Sequence, residues 1–253
     1  MYLLESCAVA FSMYSKIPMP RVDWNEKNMK YAMCFFPVIG AVIGILEVLL
    51  GGLLFKAGVG RLFFAAAMTL LPVLVTGGIH MDGFMDTMDA VSSYGDREKK
   101  LMILKDSNSG AFAILGLGCY FLWSLALWSE VSYEMLPVIA CGYVLSRSFS
   151  GFSIVTFQAA RNSGLARTFQ DGAKRKNVRV VMILYLLVFS ALVLFLSPIL
   201  GGAALTASVL AFLYYRRLCD KQFGGVTGDL AGYFLQICEL AVLTAVVLFG
   251  GLL

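Results

Sequence analysis

Charged residues are too sparse in this chain for it to fold as an ordinary water-soluble domain. Asp, Glu, Lys and Arg make up 14% of its 253 residues while 59% are hydrophobic, against about 25% charged in soluble domains. The apolar residues come in long runs. Crossing the hydrocarbon core as a helix takes roughly 20 of them, and seven segments qualify, at 32–55, 62–81, 110–128, 135–157, 178–198, 200–215 and 230–250. The chain is therefore expected to be an all-α, polytopic integral membrane protein, a single membrane-embedded domain over 1–253. The sixth segment is the shortest, and Ser197-Pro198-Ile199-Leu200-Gly201-Gly202 joins it to the fifth as a tight turn. Residues 1–15 are apolar but too short to cross. They read as an interfacial or re-entrant helix ending at Pro18 and Pro20. The N-terminus lacks the basic region and cleavage site of a signal peptide.

Lys and Arg set the orientation. If the seven segments alternate, one side collects the basic residues of 16–30, 97–105, 161–179 and 216–221, and the other only Lys56 and Arg61. The first side is thus expected to be cytoplasmic, with the N-terminus inside and the C-terminus outside. The net charge of +4 reads as this topology, because no basic stripe interleaved with aromatics suggests nucleic acid. Six scattered cysteines without a C-x-x-C pair, and a single His, argue against zinc.

The polar chemistry gathers in three loops on that side, at about 82–109, 158–178 and 216–229. The first begins where an apolar run ends, in Gly77-Gly78-Ile79-His80-Met81-Asp82-Gly83-Phe84-Met85-Asp86-Thr87-Met88-Asp89. On a helix Asp82, Asp86 and Asp89 share one face. Three carboxylates there repel one another unless protons or a cation intervene. Hard oxygen ligands suit Mg²⁺, which binds through a few carboxylates plus substrate phosphates; a solvated polar stripe is the plainer reading. Together with the membrane setting, this suggests an enzyme acting on a phosphate or pyrophosphate. His80 is placed either to orient a carboxylate or move a proton, or simply as a hydrogen-bonded structural residue.

The last loop reads Gly224-Gly225-Val226-Thr227-Gly228-Asp229. Its glycines would let backbone amides approach a phosphate. Asp229 opens the final span, as a site residue or as a plain N-terminal cap. Glu47, Arg147 and Glu239 fall within spans, where charge is costly; they either line a substrate cavity or pair with one another. Lys105, Arg161 and Arg167 either bind phosphate or serve topology alone.

At these residues the chain resembles the adenosylcobinamide-GDP ribazoletransferases, also called cobalamin synthases. The stretch from Gly77 to Asp89 looks like that family's hallmark, Lys105-Asp106-Ser107 with Gly110 like its next block, and Gly224 to Gly232 with Glu239 like its last. Pro18-x-Pro20-Arg21, Ser146-Arg147 and Ala160-Arg161 with Gly164-Leu165 are weaker likenesses. The chain departs in carrying Gln236 where many members have Glu, and Ala90 where Gly commonly follows the third Asp. The resemblance implies that adenosylcobinamide-GDP is joined to α-ribazole or its 5′-phosphate with release of GMP, using Mg²⁺, in the bacterial cytoplasmic membrane. It implies metal ligands at Asp82, Asp86, Asp89 and Asp106. Phosphate holders would be Lys105, Arg147 and Arg161, with Gly224, Gly225, Thr227 and Gly228, and His80 would assist catalysis. Asp229 or Asp89 would take the proton of the ribazole 5′-hydroxyl. The lipid bilayer is the expected partner, nucleic acid is not, and a homo-oligomer is left open.

Three rivals share some features. A CDP-alcohol phosphatidyltransferase also clusters Asp at a membrane, but Ala-Arg does not follow Asp82-Gly83 here. A prenyltransferase would need a second Asp-rich motif, and the last loop offers only Asp220 and Asp229. A transporter would use Glu47, Arg147 and Glu239 as a relay, and no paired repeat supports it.

Overall fold

The computed structural model describes residues 2–161, 164, 169, 171 and 173–251. Its helices are α1 (Tyr2–Tyr14), α2 (Glu26–Met29), α3 (Phe36–Ala57), α4 (Arg61–Thr76), α5 (Ile79–Ser92), α6 (Arg97–Ile103), α7 (Ala111–Glu130), α8 (Leu136–Thr156), α9 (Arg175–Leu196), α10 (Pro198–Leu218) and α11 (Gly228–Gly250). No strand occurs among the described residues; Ala159 and Val226 form one isolated parallel bridge. Six helical segments are long and apolar enough to cross a membrane alone, or up to seven if the bent pair α4 and α5 is counted as one span. This is the expected polytopic all-α protein.

α8 is the hub. Its buried face is built from small residues, including Ser146, Ser148, Ser150, Gly151 and Ser153, and α3, α9, α10 and α11 all pack against it. Small side chains let backbones approach where lipid gives helices no hydrophobic drive to associate. α3 uses Gly40-x-x-x-Gly44 for this: a Cβ on Gly40 would lie 2.3 Å from the carbonyl oxygen of Tyr143. α9, by contrast, leaves Leu184, Leu187, Val188 and Phe195 exposed, as a lipid-facing helix should.

Two boundaries differ from the sequence reading. The sixth segment is longer than its apolar stretch, because Pro198 at the first turn and the Ser197 hydroxyl, which accepts from Leu200 N, start α10 early. The second segment is shorter. α4 stops at Thr76, and Gly77 (φ 65°) and Gly78 (φ 79°) then take successive left-handed conformations, which only glycine adopts readily. The chain turns by 97° into α5. Hydropathy alone ran through this corner, since Ile79 and Met81 are as apolar as the span before them. A helix turned so sharply, with an acidic face, does not continue the α4 crossing. We read α5 as lying at the end of the bundle, outside the spanning segments. The stretch at 82–109, expected to be a loop, is mostly α5 and α6.

Candidate active site

The two polar motifs, distant in sequence, meet where α5 crosses the start of α11. Glycine makes the crossing tight. A Cβ on Gly83 would lie 2.8 Å from the carbonyl oxygen of Asp229, and one on Gly232 would lie 3.1 Å from that of His80. Phe84 stacks on Tyr233 beside it, with ring centroids 5.6 Å apart. Both glycines were visible in the motifs, but their role in helix contact was not, because it exists only once the two segments are paired.

This crossing sets the acidic face of α5 against Asp229. Asp82 is exposed, while Asp86 and Asp89 are partly buried. Burial, followed by the carboxylates of Asp82, Asp229, Asp89 and Asp106, pushes Asp86 up to about 7. Asp89 differs from its neighbours. Its Oδ2 accepts from Gly110 N at 2.5 Å and its Oδ1 from Ala113 N at 2.9 Å. These are orphan amides of the α7 N-terminus, so Asp89 caps a neighbouring helix, and as a proton acceptor it is less free than Asp229. Asp106 is exposed and accepts from Asn108 N and Nδ2.

Asp229 sits in the first turn of α11. Arg161 Nη2 lies 3.9 Å from its Oδ2, and the Thr227 hydroxyl donates to the same oxygen at 3.4 Å. Thr227 also caps α11, accepting from Leu230 N at 3.1 Å. Arg161 Nε and Nη2 are buried and have no hydrogen-bond partner among the described residues. Asp82, Arg161, Thr227, Gly228 and Asp229 all line one cavity of ≈ 370 Å³.

The glycine-rich loop does not cradle phosphate as expected. The N–H groups of Gly224 and Gly225 both donate to Cys219 O, closing the π-helical turn Cys219–Phe223, and Val226 N donates to Gln158 O at 2.8 Å. Gly225 is pressed against residues 158–160, where a Cβ would meet Gln158 O at 2.4 Å. These glycines build a turn and a bridge. Only Gly228 and Asp229, at the open end of α11, retain the free first-turn amides of a helix N-terminus.

Other expected residues lie apart. Arg147 is 1% exposed and its Nη1 donates to Glu239 Oε1 at 2.7 Å and to Tyr143 O at 3.0 Å. Ser146 donates to the same Glu239 oxygen at 2.9 Å, and Tyr143 donates to Glu47 Oε1 at 3.2 Å. This closed cluster inside the bundle corrects the assignment of Arg147 to phosphate binding: its charge is matched by Glu239. Gln236 lines a separate cavity of ≈ 20 Å³ with Glu239, Thr69 and Ser124, room for about one water, and not the acidic cavity. Lys105 is exposed, and its neighbour Leu104, not Lys105, reaches the cavity wall. Arg167 and Leu165 lie outside the described residues. His80 is buried, between Tyr14 (ring centroids 5.8 Å apart) and Phe36 (5.7 Å). Burial, and then the Arg147 guanidinium, hold its imidazole well below the usual range, so it is neutral near pH 7.

The family model described as cobalamin-5-phosphate synthase matches residues 6–247. This chain belongs to the cobalamin-5-phosphate synthase family. An adenosylcobinamide-GDP ribazoletransferase of Lachnoclostridium phytofermentans is 46% identical to it, over 99% of this chain and 96% of the relative. One of Clostridium botulinum is 32% identical over 98% of each chain, and one of Geobacillus thermodenitrificans 32% identical over 90% of this chain and 89% of its own. No solved structure matches. Membership in the cobalamin-5-phosphate synthase family sets the phosphatidyltransferase, prenyltransferase and transporter readings aside.

For a member of this family the donor set can be tested against Mg²⁺. Among the described residues no three His, Cys, Asp or Glu side chains converge into a ready-made metal site, so the expected four-Asp cage is not present. The arrangement still suits Mg²⁺, which needs only one or two carboxylates and takes the rest of its shell from water and substrate phosphates. Burial first, and then the neighbouring carboxylates, raise Asp86, and a cation would relieve the second of these.

Proposed function

We propose that the protein joins adenosylcobinamide-GDP to α-ribazole or its 5′-phosphate and releases GMP, at the cytoplasmic face of a bacterial membrane. The supporting observation is the meeting of Asp82, from the first motif, with Asp229 and Arg161 around one cavity. The names of the relatives supply the substrates, and the basic loops supply the orientation.

Phosphoryl transfer needs positioning and charge neutralisation more than covalent chemistry from the protein. A ribose hydroxyl attacks the phosphorus on the cobinamide side, the P–O bond to GMP breaks, and the hydroxyl proton passes to a carboxylate. An acceptor that retains its 5′-phosphate cannot attack through the 5′-oxygen. For that acceptor the nucleophile is therefore a secondary ribose hydroxyl and not the 5′-hydroxyl first expected. Asp229 is the better proton acceptor, because both Asp89 oxygens already hold α7 amides. Arg161 steadies Asp229 and would offer its guanidinium to a phosphate oxygen. Mg²⁺ held by Asp82 and Asp86 would neutralise charge on the pyrophosphate and the departing GMP.

The test is the detergent-purified chain supplied with adenosylcobinamide-GDP, α-ribazole 5′-phosphate and Mg²⁺. GMP release in step with corrinoid product, abolished by EDTA, is expected. Absence of product from folded protein would sink this reading.

A further inference from the structure

We propose that the cavity beside Asp229 is the subsite for the aromatic base of the acceptor nucleoside, which enters base first and leaves its ribose at the mouth. This deepens, and rests on, the transferase reading above. The cavity holds ≈ 370 Å³, near the lower end of drug-sized ligand pockets, which begin at about 300 Å³. That suits one nucleoside and is far too small for a corrin with its side chains.

Its depth is apolar and aromatic. Met33, Phe36 and Leu235 are 2%, 3% and 1% exposed, and all line it. Tyr14 and Phe36 lie with ring centroids 4.6 Å apart, and Phe169 stacks on Tyr14 from the other direction at 6.2 Å. Walls of this kind favour a flat aromatic ligand through offset and edge contacts. Apart from Asp82, Arg161, Thr227 and Asp229, the lining residues with polar side chains are Tyr14, Ser150 and His80. His80 is 4% exposed and its Nε2, itself buried, has no hydrogen-bond partner among the described residues. The carboxylates Asp82 and Asp229 are the more exposed lining groups and stand at the mouth.

This pattern discriminates between the two bases in the reaction. Guanine carries donors at N1 and N2 and acceptors at O6 and N7. In a pocket whose carboxylates stand at the mouth, several of these would be buried unpaired, which disfavours guanine. The dimethylbenzimidazole of α-ribazole has one free ring nitrogen and an otherwise apolar edge. A single hydrogen bond from His80 satisfies it, and the remaining surface meets Phe36, Met33 and Leu235. With the base seated there, the ribose reaches Thr227 and Asp229, where its hydroxyl must be deprotonated. The donor nucleotide is left to the acidic face of α5 outside the cavity.

Photolabelling of the full-length, detergent-solubilised wild type with an azidobenzimidazole riboside tests the assignment without metal or corrinoid. Label is expected on Tyr14, Phe36 or His80, chased by α-ribazole and not by guanosine or GMP. Label elsewhere, or a chase by guanosine, would overturn it. In a second arm, His80→Leu is expected to raise KM for α-ribazole at least tenfold while KM for adenosylcobinamide-GDP stays within twofold. Equal rises in both would make His80 merely structural and count against the subsite. GMP release by a wild type that takes no label at these residues refutes the subsite and leaves the transferase standing. Specific label without any GMP release refutes the transferase and leaves an aromatic-nucleoside site.

Discussion

Two groups of charged residues in this protein use similar chemistry to opposite ends. Inside the bundle, Arg147, Glu239, Ser146, Tyr143 and Glu47 form a chain of short contacts in which the one guanidinium is matched by Glu239. At the end of the bundle, Asp82, Asp86 and Asp229 gather with Arg161 beside Asp229, and burial first, then the neighbouring carboxylates, pushes Asp86 up to about 7. The first group is closed at its ion pair: Arg147 and Glu239 satisfy each other within the protein, although Glu47 Oε2 and Arg147 Nε are buried without a hydrogen-bond partner among the described residues. The second is open: among the described residues its carboxylates outnumber the guanidinium beside them, an excess that a cation would relieve. Residue type does not separate the two; the balance of partners does.

The comparison is broken most sharply by removing one side of the closed pair. Arg147→Met should cost about 3–5 kcal/mol of stability by leaving Glu239 buried without a counter-charge. Arg147→Met with Glu239→Leu should recover most of it. Thermal unfolding in detergent reads both, and an unaltered Tm in the single variant would mean the cluster is not closed. In the open group the sign of the trade reverses. Asp82→Asn and Asp229→Asn should leave Tm unchanged while kcat falls on the order of 10²–10³-fold, the scale of losing one charge-stabilising group in a transition state.

Asp86 gives a finer test. Its folded value of about 7 lies above the ordinary 3.8, so the folded protein keeps a proton that the unfolded chain loses. Without a divalent cation, stability should therefore fall as pH rises from about 4 to about 7 and level off beyond. The group is partly exposed and screened, so the effect should be modest: Asp86→Asn in EDTA at pH 8 should raise Tm by about 2–4 °C, the response to roughly 1 kcal/mol in a chain of this size. Added Mg²⁺ should shrink that gain, and a gain indifferent to Mg²⁺ would argue against a cation at Asp86. Smallest of all, Thr227→Ala should cost about 1 kcal/mol through the lost cap of α11, seen in chemical denaturation where reversible.

Much of this was legible before folding. Hydropathy found the crossings, and the spacing of Asp82, Asp86 and Asp89 put them on one helix. What it missed are matters of approach and corner. Nothing local shows that Gly83 and Gly232 touch each other's helices, or that Asp89 turns to the amides of α7. The Gly224-Gly225 pair invited a phosphate reading because glycine frees the backbone, yet the freed amides close on Cys219. The corner at Gly77-Gly78 escaped because apolar residues lie on both sides of it. The aromatic walls supplied by Tyr14 and Phe36 look, in sequence, like ordinary membrane residues.

The glycine crossing of α5 on α11 also defines what a protein engineer would have to move. The acidic motif is not a portable cassette: lifted alone, it loses Asp229, which reaches it only because Gly83 has no side chain. It also loses the helix whose first amides hold Asp89 in place. The smallest transplantable unit is three helix ends from three parts of the chain, and a graft that put alanine at residue 83 would separate the motifs while preserving every acidic residue in them.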